Sequence, residues 1–182
     1  MKPCRFVTGP PGIGKTTAVR KAVERLRDQG LEVGGFLTGE VRAAGRRVGF
    51  FVEDVSTGAR ARLSELGPGE VRVSRYRLVR EGLRLAERAL RAALAEAQVV
   101  AIDEVGPMEL NAPGLREAIE AALRSEKPTI GSVHQRSPDP LARRVRESCS
   151  VLTLSVQNRD RAPAWLAGVA KGGDDGGTQE GA

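Results

Sequence analysis

Apolar residues in this chain follow two patterns that alternate along the sequence. Short apolar runs of about five residues predict buried strands, and these runs cover residues 4–8, 32–38, 99–104, 129–133 and 151–154. Between the runs, apolar positions recur at spacings of three and four, which predicts helices over residues 17–29, 78–97, 114–124, 139–147 and 161–169. Strands that alternate with helices are typical of a mostly parallel, three-layer α/β sheet.

One region departs from this alternation. Residues 46–55 alternate apolar and polar side chains, a turn at 56–58 follows, and further short strands are predicted at 59–63 and 71–73. We therefore expect a small β-meander inserted at about residues 40–74 of a single domain that spans residues 1–170. Residues 171–182 are rich in glycine and polar side chains and cannot bury a core, so we predict a disordered C-terminal tail.

A complete G-x-x-x-x-G-K-[ST] motif lies between the first strand and the first helix. Glycines let backbone N–H groups turn toward a phosphate chain, and the helix N-terminus adds a partial positive charge. Lys15 is predicted to reach the β- and γ-phosphates, Thr16 to hold Mg²⁺, and Thr17 to complete the nucleotide site. The motif predicts a protein that binds nucleoside triphosphates, and its residues are Gly9, Pro10, Pro11, Gly12, Ile13, Gly14, Lys15 and Thr16.

The apolar strand at 99–102 ends in two acids, Asp103 and Glu104. A buried parallel strand brings such side chains to the carboxyl edge of the sheet. In phosphate-loop enzymes an acid at this place holds the shell of Mg²⁺, which we assign to Asp103. Glu104 follows directly and is our predicted general base for the attacking water.

Composition restricts the alternatives. The 29 basic and 23 acidic residues leave a net charge of +6, which suits an anionic ligand without requiring nucleic acid. The two cysteines, Cys4 and Cys149, lie in apolar segments without metal-ligand spacing, so we expect buried free thiols in a reducing cytoplasm. No apolar run approaches the ~20 residues that span a membrane. We expect a monomer or a weak oligomer.

Four further segments accompany the phosphate loop. They are residues 35–42 and 103–110, which include Glu40 and Gly106, then His134 and 158–160. Together with the phosphate loop they resemble the cancer-related nucleoside-triphosphatases, a P-loop family, and the resemblance covers roughly residues 4–169. It implies slow, Mg²⁺-dependent hydrolysis of several nucleoside triphosphates with little base preference. It also implies a RecA-like sheet in which a further strand separates the phosphate-loop strand from the acid-bearing strand.

Several further side chains are candidates for the site. Glu40 is predicted either to orient water or metal or to be an exposed acid beside an arginine. His134 follows a strand, where it either contacts the γ-phosphate or is an ordinary loop histidine. An arginine finger is predicted from Arg143, Arg144, Arg146 or Arg159.

The long helix also carries an arginine stripe. Its members recur at spacings of three and four, and a solvated face is the favoured interpretation. They are Arg77, Arg80, Arg84, Arg88 and Arg91.

The sequence favours a Mg²⁺-dependent nucleoside-triphosphatase acting on ATP, GTP, CTP and UTP. Residues 158–160 lack the lysine of the guanine-reading Asn-Lys-x-Asp motif, so no guanine selectivity is expected. Two alternatives stay open at this stage. One is a kinase that transfers the γ-phosphate to a small molecule or a nucleic-acid end, and the other is a nucleotide-gated module that binds RNA through its arginines.

Overall fold

The computed structural model describes residues 3–171. Over that range the strands form one continuous sheet with the order β5-β6-β4-β3-β2-β7-β8-β1-β9. The strands are β1 Cys4–Thr8, β2 Val33–Ala43, β3 Arg46–Asp54, β4 Arg60–Leu66, β5 Arg72–Val73, β6 Tyr76–Leu78, β7 Val99–Val105, β8 Thr129–Val133 and β9 Ser150–Thr153. The helices are α1 Lys15–Asp28, α2 Arg80–Glu96, α3 Pro107–Leu110, α4 Pro113–Arg124, α5 Pro140–Ser148 and α6 Ala162–Ala167, followed by a 3-10 turn at Gly168–Lys171.

The central strands β2, β7, β8, β1 and β9 are parallel. β8 lies between β1 and β7, so the predicted strand between the phosphate-loop strand and the acid-bearing strand is confirmed. Beyond β2 the sheet continues through the antiparallel pairs β2–β3, β3–β4, β4–β6 and β6–β5, which confirms the inserted meander. The domain limits of 1–170 stay a prediction. The tail predicted from 171 lies outside the described residues, except for Lys171, which ends the 3-10 turn.

Alternate residues of the central strands enter two separate cores, one on each face of the sheet. Phe6 packs with the core beneath α2, α4 and α5, whereas its neighbour Val7 packs with the core beneath α1 and α6. In β7, Ile102 and Ala101 divide in the same way. Because both faces are covered by helices, these strands are apolar at nearly every position.

The structure differs from the predicted elements at both ends of the meander. β2 runs on to Ala43, and a short strand, β6, occupies Tyr76–Leu78. The long helix therefore begins at Arg80, and the prediction that Arg77 belongs to the helical arginine stripe is wrong. Arg77 lies instead in β6, where its guanidinium pairs with Glu65. Three residues carry too little periodicity to separate a short edge strand from a helix N-terminus.

The prediction of two free thiols is also wrong, because Cys4 and Cys149 form a disulfide. Arg5 pairs with Ser150 in the parallel ladder of β1 and β9, so the preceding residues lie side by side with their Cα atoms 5.2 Å apart. The two cysteines are 145 residues apart in sequence, and only the pairing of the first strand with the last brings them together. The cellular compartment stays a prediction.

None of the helices in the described region is long and apolar enough to cross a bilayer.

Candidate active site

The phosphate-binding loop connects β1 to α1, as predicted. Three of its glycines have φ angles that other residues rarely adopt, 148° at Gly9, 81° at Gly12 and 111° at Gly14. Within residues 3–171 no side chain caps the N-terminus of α1 at Gly14. The N–H groups of the first helical turn are therefore free to bind an anion.

Lys15 is the first residue of α1, and its side chain folds back across the loop. Its Nζ donates a hydrogen bond to the carbonyl oxygen of Gly9 over 2.9 Å. The same ammonium lies 3.7 Å from the Glu104 Oε2 atom. The loop cation and the predicted general base therefore occupy one site, although 88 intervening residues separate them in the chain.

Asp103 is fully buried and lies at the centre of a hydrogen-bond cluster. Its Oδ2 atom accepts the hydroxyl of Thr16 at 2.8 Å, and the N–H and hydroxyl of Thr38 at 3.2 and 3.1 Å. Its Oδ1 atom accepts the hydroxyl of Ser132. The cluster joins β7 to three other elements, because these donors come from α1, β2 and β8. It confirms that β7 presents Asp103 to the phosphate loop.

The surroundings of Asp103 fit a hard cation. This carboxyl group accepts hydrogen bonds from the neutral groups of Thr16, Thr38 and Ser132. Asp103 and the Thr16 hydroxyl are oxygen ligands of the kind that Mg²⁺ binds. Within residues 3–171 no three His, Cys, Asp or Glu side chains form a metal cluster.

Glu104 is the next residue and has a different environment. The pKa of Glu104 is raised to about 7. Burial is the largest cause and raises the pKa, the positive charge of Lys15 lowers it, and the negative charge of Asp103 raises it to a smaller extent. A carboxyl group with a pKa near the working pH can both accept and release a proton, as a general base requires.

A second buried carboxyl group lies on the other side of the turn that follows β7. Glu109 is 5% exposed and belongs to the short helix α3. Burial raises its pKa well above 4.5, and the charge of Glu104 raises it further. Its carboxyl group accepts the backbone N–H groups of Gly106 and of Glu109 itself.

His134 follows β8 and borders the same site. Burial lowers its pKa, and the charges of Lys15 and Arg146 lower it further. The ring is therefore neutral at pH 7, and its Nδ1 atom accepts the N–H of Arg136 at 3.2 Å. Arg146 donates to the carbonyl oxygens of His134 and Ser137, each at 2.8 Å, and so holds this loop.

Other predicted residues lie away from these carboxylates. Glu40 forms ion pairs with Arg42 at 2.7 Å and Arg47 at 3.0 Å, which corresponds to the exposed-acid interpretation. Arg143 and Arg144 are exposed on α5.

Arg159 borders a cleft of about 490 Å³ beside α1. The residues that line this cleft are Gly12, Ile13, Gly14, Thr17, Ala18, Lys21, Arg159, Asp160 and Pro163. Lys15, Asp103 and Glu104 are not among them.

Three residues of the site were not predicted from sequence. Thr38 and Ser132 bind Asp103 from neighbouring strands, and only the order of strands in the sheet reveals this contact. Glu109 does carry a local sequence signal. Proline at the first helical position and glutamate at the third are typical of a helix N-terminus, and Pro107 and Glu109 stand at these positions of α3.

A parallel sheet with this strand order defines a P-loop nucleoside-triphosphate-binding protein, because one strand ends in the phosphate loop and a second strand bonds its aspartate to the loop threonine. Known proteins agree with this class. The sequence profile of a family described as NTPase matches residues 4–166.

Individual relatives span nearly the whole chain. The nucleoside-triphosphatase THEP1 of Thermofilum pendens is 43% identical over 167 residues, which is 89% of this chain and 92% of that protein. THEP1 of Methanosarcina acetivorans is 41% identical over 159 residues, 86% of this chain and 90% of that protein.

Solved structures give the same result. The solution structure of a human cancer-related nucleoside triphosphatase superposes with a TM-score of 0.76 at 35% identity, over 92% of this chain and 97% of that chain. The crystal structure of THEP1 from the hyperthermophile Aquifex aeolicus gives a TM-score of 0.79 at 29% identity, over 90% and 96%. The chain belongs to this family of nucleoside triphosphatases, as its resemblance to the cancer-related members implied. It is a hydrolase.

Proposed function

We propose that the protein hydrolyses nucleoside triphosphates to the diphosphate and phosphate in a Mg²⁺-dependent reaction with little selectivity among bases. The observation that carries this proposal is the arrangement around β7. One acid, Asp103, bonds to the loop threonine, and the next, Glu104, lies 3.7 Å from the loop lysine. These are the positions from which a carboxylate can hold a metal shell and activate a water molecule.

The phosphate loop would bind the triphosphate through its backbone N–H groups and the ammonium of Lys15. Positive charge already present in the site stabilises the negative charge that develops on the phosphoryl oxygens. Thr16 and Asp103 would hold Mg²⁺, which when bound neutralises charge on the β- and γ-phosphate oxygens. These residues thus bind and orient the substrate before the chemical step.

Glu104 would accept the proton of the attacking water. The water oxygen bonds to the γ-phosphorus as the bond from phosphorus to the β–γ bridging oxygen breaks, and the diphosphate leaves with the electron pair. The charge of Lys15 acts on His134, whose lowered pKa favours the neutral ring, and its ring N–H would donate a hydrogen bond to the γ-phosphate. This contact would report the presence of the γ-phosphate to the loop that follows β8.

The cleft beside α1 supports low selectivity among the bases. It continues from the phosphate loop away from Lys15 and would take the ribose and base. Its floor is formed by small apolar side chains such as Ala18 and Pro163, and its charged side chains, Lys21, Arg159 and Asp160, are exposed. A base is rejected strongly only when buried polar groups of the protein would be left unpaired, and an exposed rim imposes no such requirement.

The test is phosphate release from ATP, GTP, CTP and UTP, with wild-type protein and the Glu104→Gln variant. We expect kcat/KM values within about tenfold of one another and a fall in turnover of roughly 10²–10⁴ in the variant. Nucleotide binding should persist in Glu104→Gln, because the phosphate loop is intact.

Two results would overturn the proposal. A thousandfold preference for one base would show that a dedicated base pocket exists. Transfer of the phosphate to an added acceptor, at a rate that Glu104→Gln leaves intact, would show a kinase.

A further inference from the structure

The turn that follows β7 connects two carboxyl groups. Glu104 ends the acidic pair, Val105 is the last residue of β7, Gly106 forms the turn, and Glu109 is the third residue of α3. Asp103 and Glu109 are the two buried carboxylates of the described residues. The proposed function uses Asp103 and Glu104 but leaves Glu109 without a role.

Glu109 is bonded to the backbone of this turn. Gly106 is the N-cap of α3, and Glu109 is the third residue of that helix. From this position a glutamate side chain reaches back to the N–H of the N-cap residue. The Glu109 Oε2 atom lies beside Gly106, 3.3 Å from where a Cβ atom of that residue would stand, and a hydrogen bond from the Gly106 N–H is among the contacts that lower the pKa of Glu109. The Leu110 N–H donates to the Gly106 carbonyl oxygen at 3.0 Å. Both polar groups of Gly106 are therefore held by α3.

The Glu104 carboxyl group occupies the space that a side chain at Gly106 would need. Its backbone is extended, with φ −149°, so any residue could adopt this conformation and glycine is required only for space. A Cβ atom at this position would stand 2.9 Å from the Glu104 Oε1 atom and 3.3 Å from the Glu109 Oε2 atom. The backbone of Gly106 therefore limits the position of the Glu104 Oε1 atom, and the Lys15 ammonium lies 3.7 Å from the Oε2 atom. We call the Gly106 backbone the wall of this site.

We infer that Glu109 is a positioning residue for the hydrolytic reaction: by binding the N–H of Gly106 it holds the wall that orients the Glu104 carboxyl group. This inference rests on the proposed role of Glu104 as general base. The role of Glu109 is therefore to act through Glu104 and not on the substrate. A change of a few tenths of an ångström in the wall alters the direction of the carboxyl group, and general-base catalysis depends on that direction.

The experiment compares steady-state kinetics of Glu109→Ala and Glu109→Gln, alone and in the Glu104→Gln background. Glu109→Ala removes the acceptor, so we expect kcat to fall about 10- to 100-fold with KM within about twofold, because substrate binding is unaffected. Glutamine retains an oxygen that can accept the same N–H, so Glu109→Gln should restore most of the rate.

The double variant separates positioning from general damage. If Glu109 acts through Glu104, adding Glu109→Ala to Glu104→Gln should cost less than about threefold, because the group being oriented is already lost. A loss in the double variant as large as in the single variant would overturn the inference. Ile119→Val, a small deletion in the core beneath α4, controls for a comparable loss of stability and should leave kcat unchanged.

If Glu109→Ala does not fold, Gly106→Ala tests the same wall without changing the acid. Its Cβ atom would displace the Glu104 carboxyl group, so kcat should fall at least tenfold with KM retained. Unchanged kcat in folded Gly106→Ala would refute the inference. If Glu104→Gln is itself fully active, the proposed function fails first; if Glu104→Gln is inactive and Glu109→Ala is active, only the role of Glu109 fails.

Discussion

Replacing Glu104 with glutamine should make the folded protein more stable at alkaline pH, although it removes the proposed general base. Burial raises the pKa of Glu104 to about 7 in the folded protein, against 4.5 for an ordinary glutamate. A group that binds its proton more tightly in the folded state stabilises the fold while it is protonated. Ionisation of Glu104 therefore favours unfolding.

The sign and size of the effect follow from this difference. Below pH 4.5 the carboxyl group is protonated in both states and imposes no penalty; above about pH 7 it is ionised in both states and the penalty is complete. A tenfold change in proton affinity corresponds to about 1.4 kcal/mol, so the full penalty is about 3 kcal/mol. Glutamine has nearly the same shape and carries no charge.

The assay is urea denaturation of wild-type and Glu104→Gln protein without nucleotide at pH 5 and pH 8. Relative to wild type, Glu104→Gln should raise the free energy of unfolding by about 2 kcal/mol more at pH 8 than at pH 5. Glu117→Gln, at a side chain that is 74% exposed, is the control and should shift stability by the same small amount at both values. An equal effect of Glu104→Gln at pH 5 and pH 8 would refute the buried, proton-binding state of this carboxyl group.

Three further perturbations test other parts of the site and the fold. Lys15→Ala should abolish hydrolysis in a folded protein, because the ammonium acts on the ligand; near-normal turnover at saturating nucleotide would contradict this, with circular dichroism as the check on folding. Asp103→Asn should raise the Mg²⁺ concentration needed for half-maximal activity, because the buried charge that faces the ion is lost; superimposable Mg²⁺ titrations would exclude Asp103 from the metal shell. Cys149→Ser should lower the free energy of unfolding by about 2–5 kcal/mol, because the disulfide closes a loop of 145 residues. Reductant should not change the stability of this variant. Two reactive thiols in unreduced, denatured wild-type protein would show that the bond is absent.

Local signals account for what could be predicted of the site. The strand, glycine loop and helix around Lys15 depend on residues within a few positions of one another, so their spacing alone indicates a phosphate site. The apolar run before Asp103 likewise indicates a buried strand whose last residues reach the sheet edge. Both predictions required only that neighbouring residues adopt regular structure.

Contacts between distant segments could be decided only by the tertiary structure. Thr38 and Ser132 bind Asp103 because β2 and β8 flank β7, and Cys4 meets Cys149 because β1 pairs with β9. The hydrophobic pattern of a strand does not indicate which other strand it pairs with, so the order of strands is set by the packing of the whole sheet. The burial that raises the pKa values of Glu104 and Glu109 has the same origin. The sequence by itself thus indicated which residues form the candidate site, and the assembled sheet decided their neighbours, their burial and their orientation.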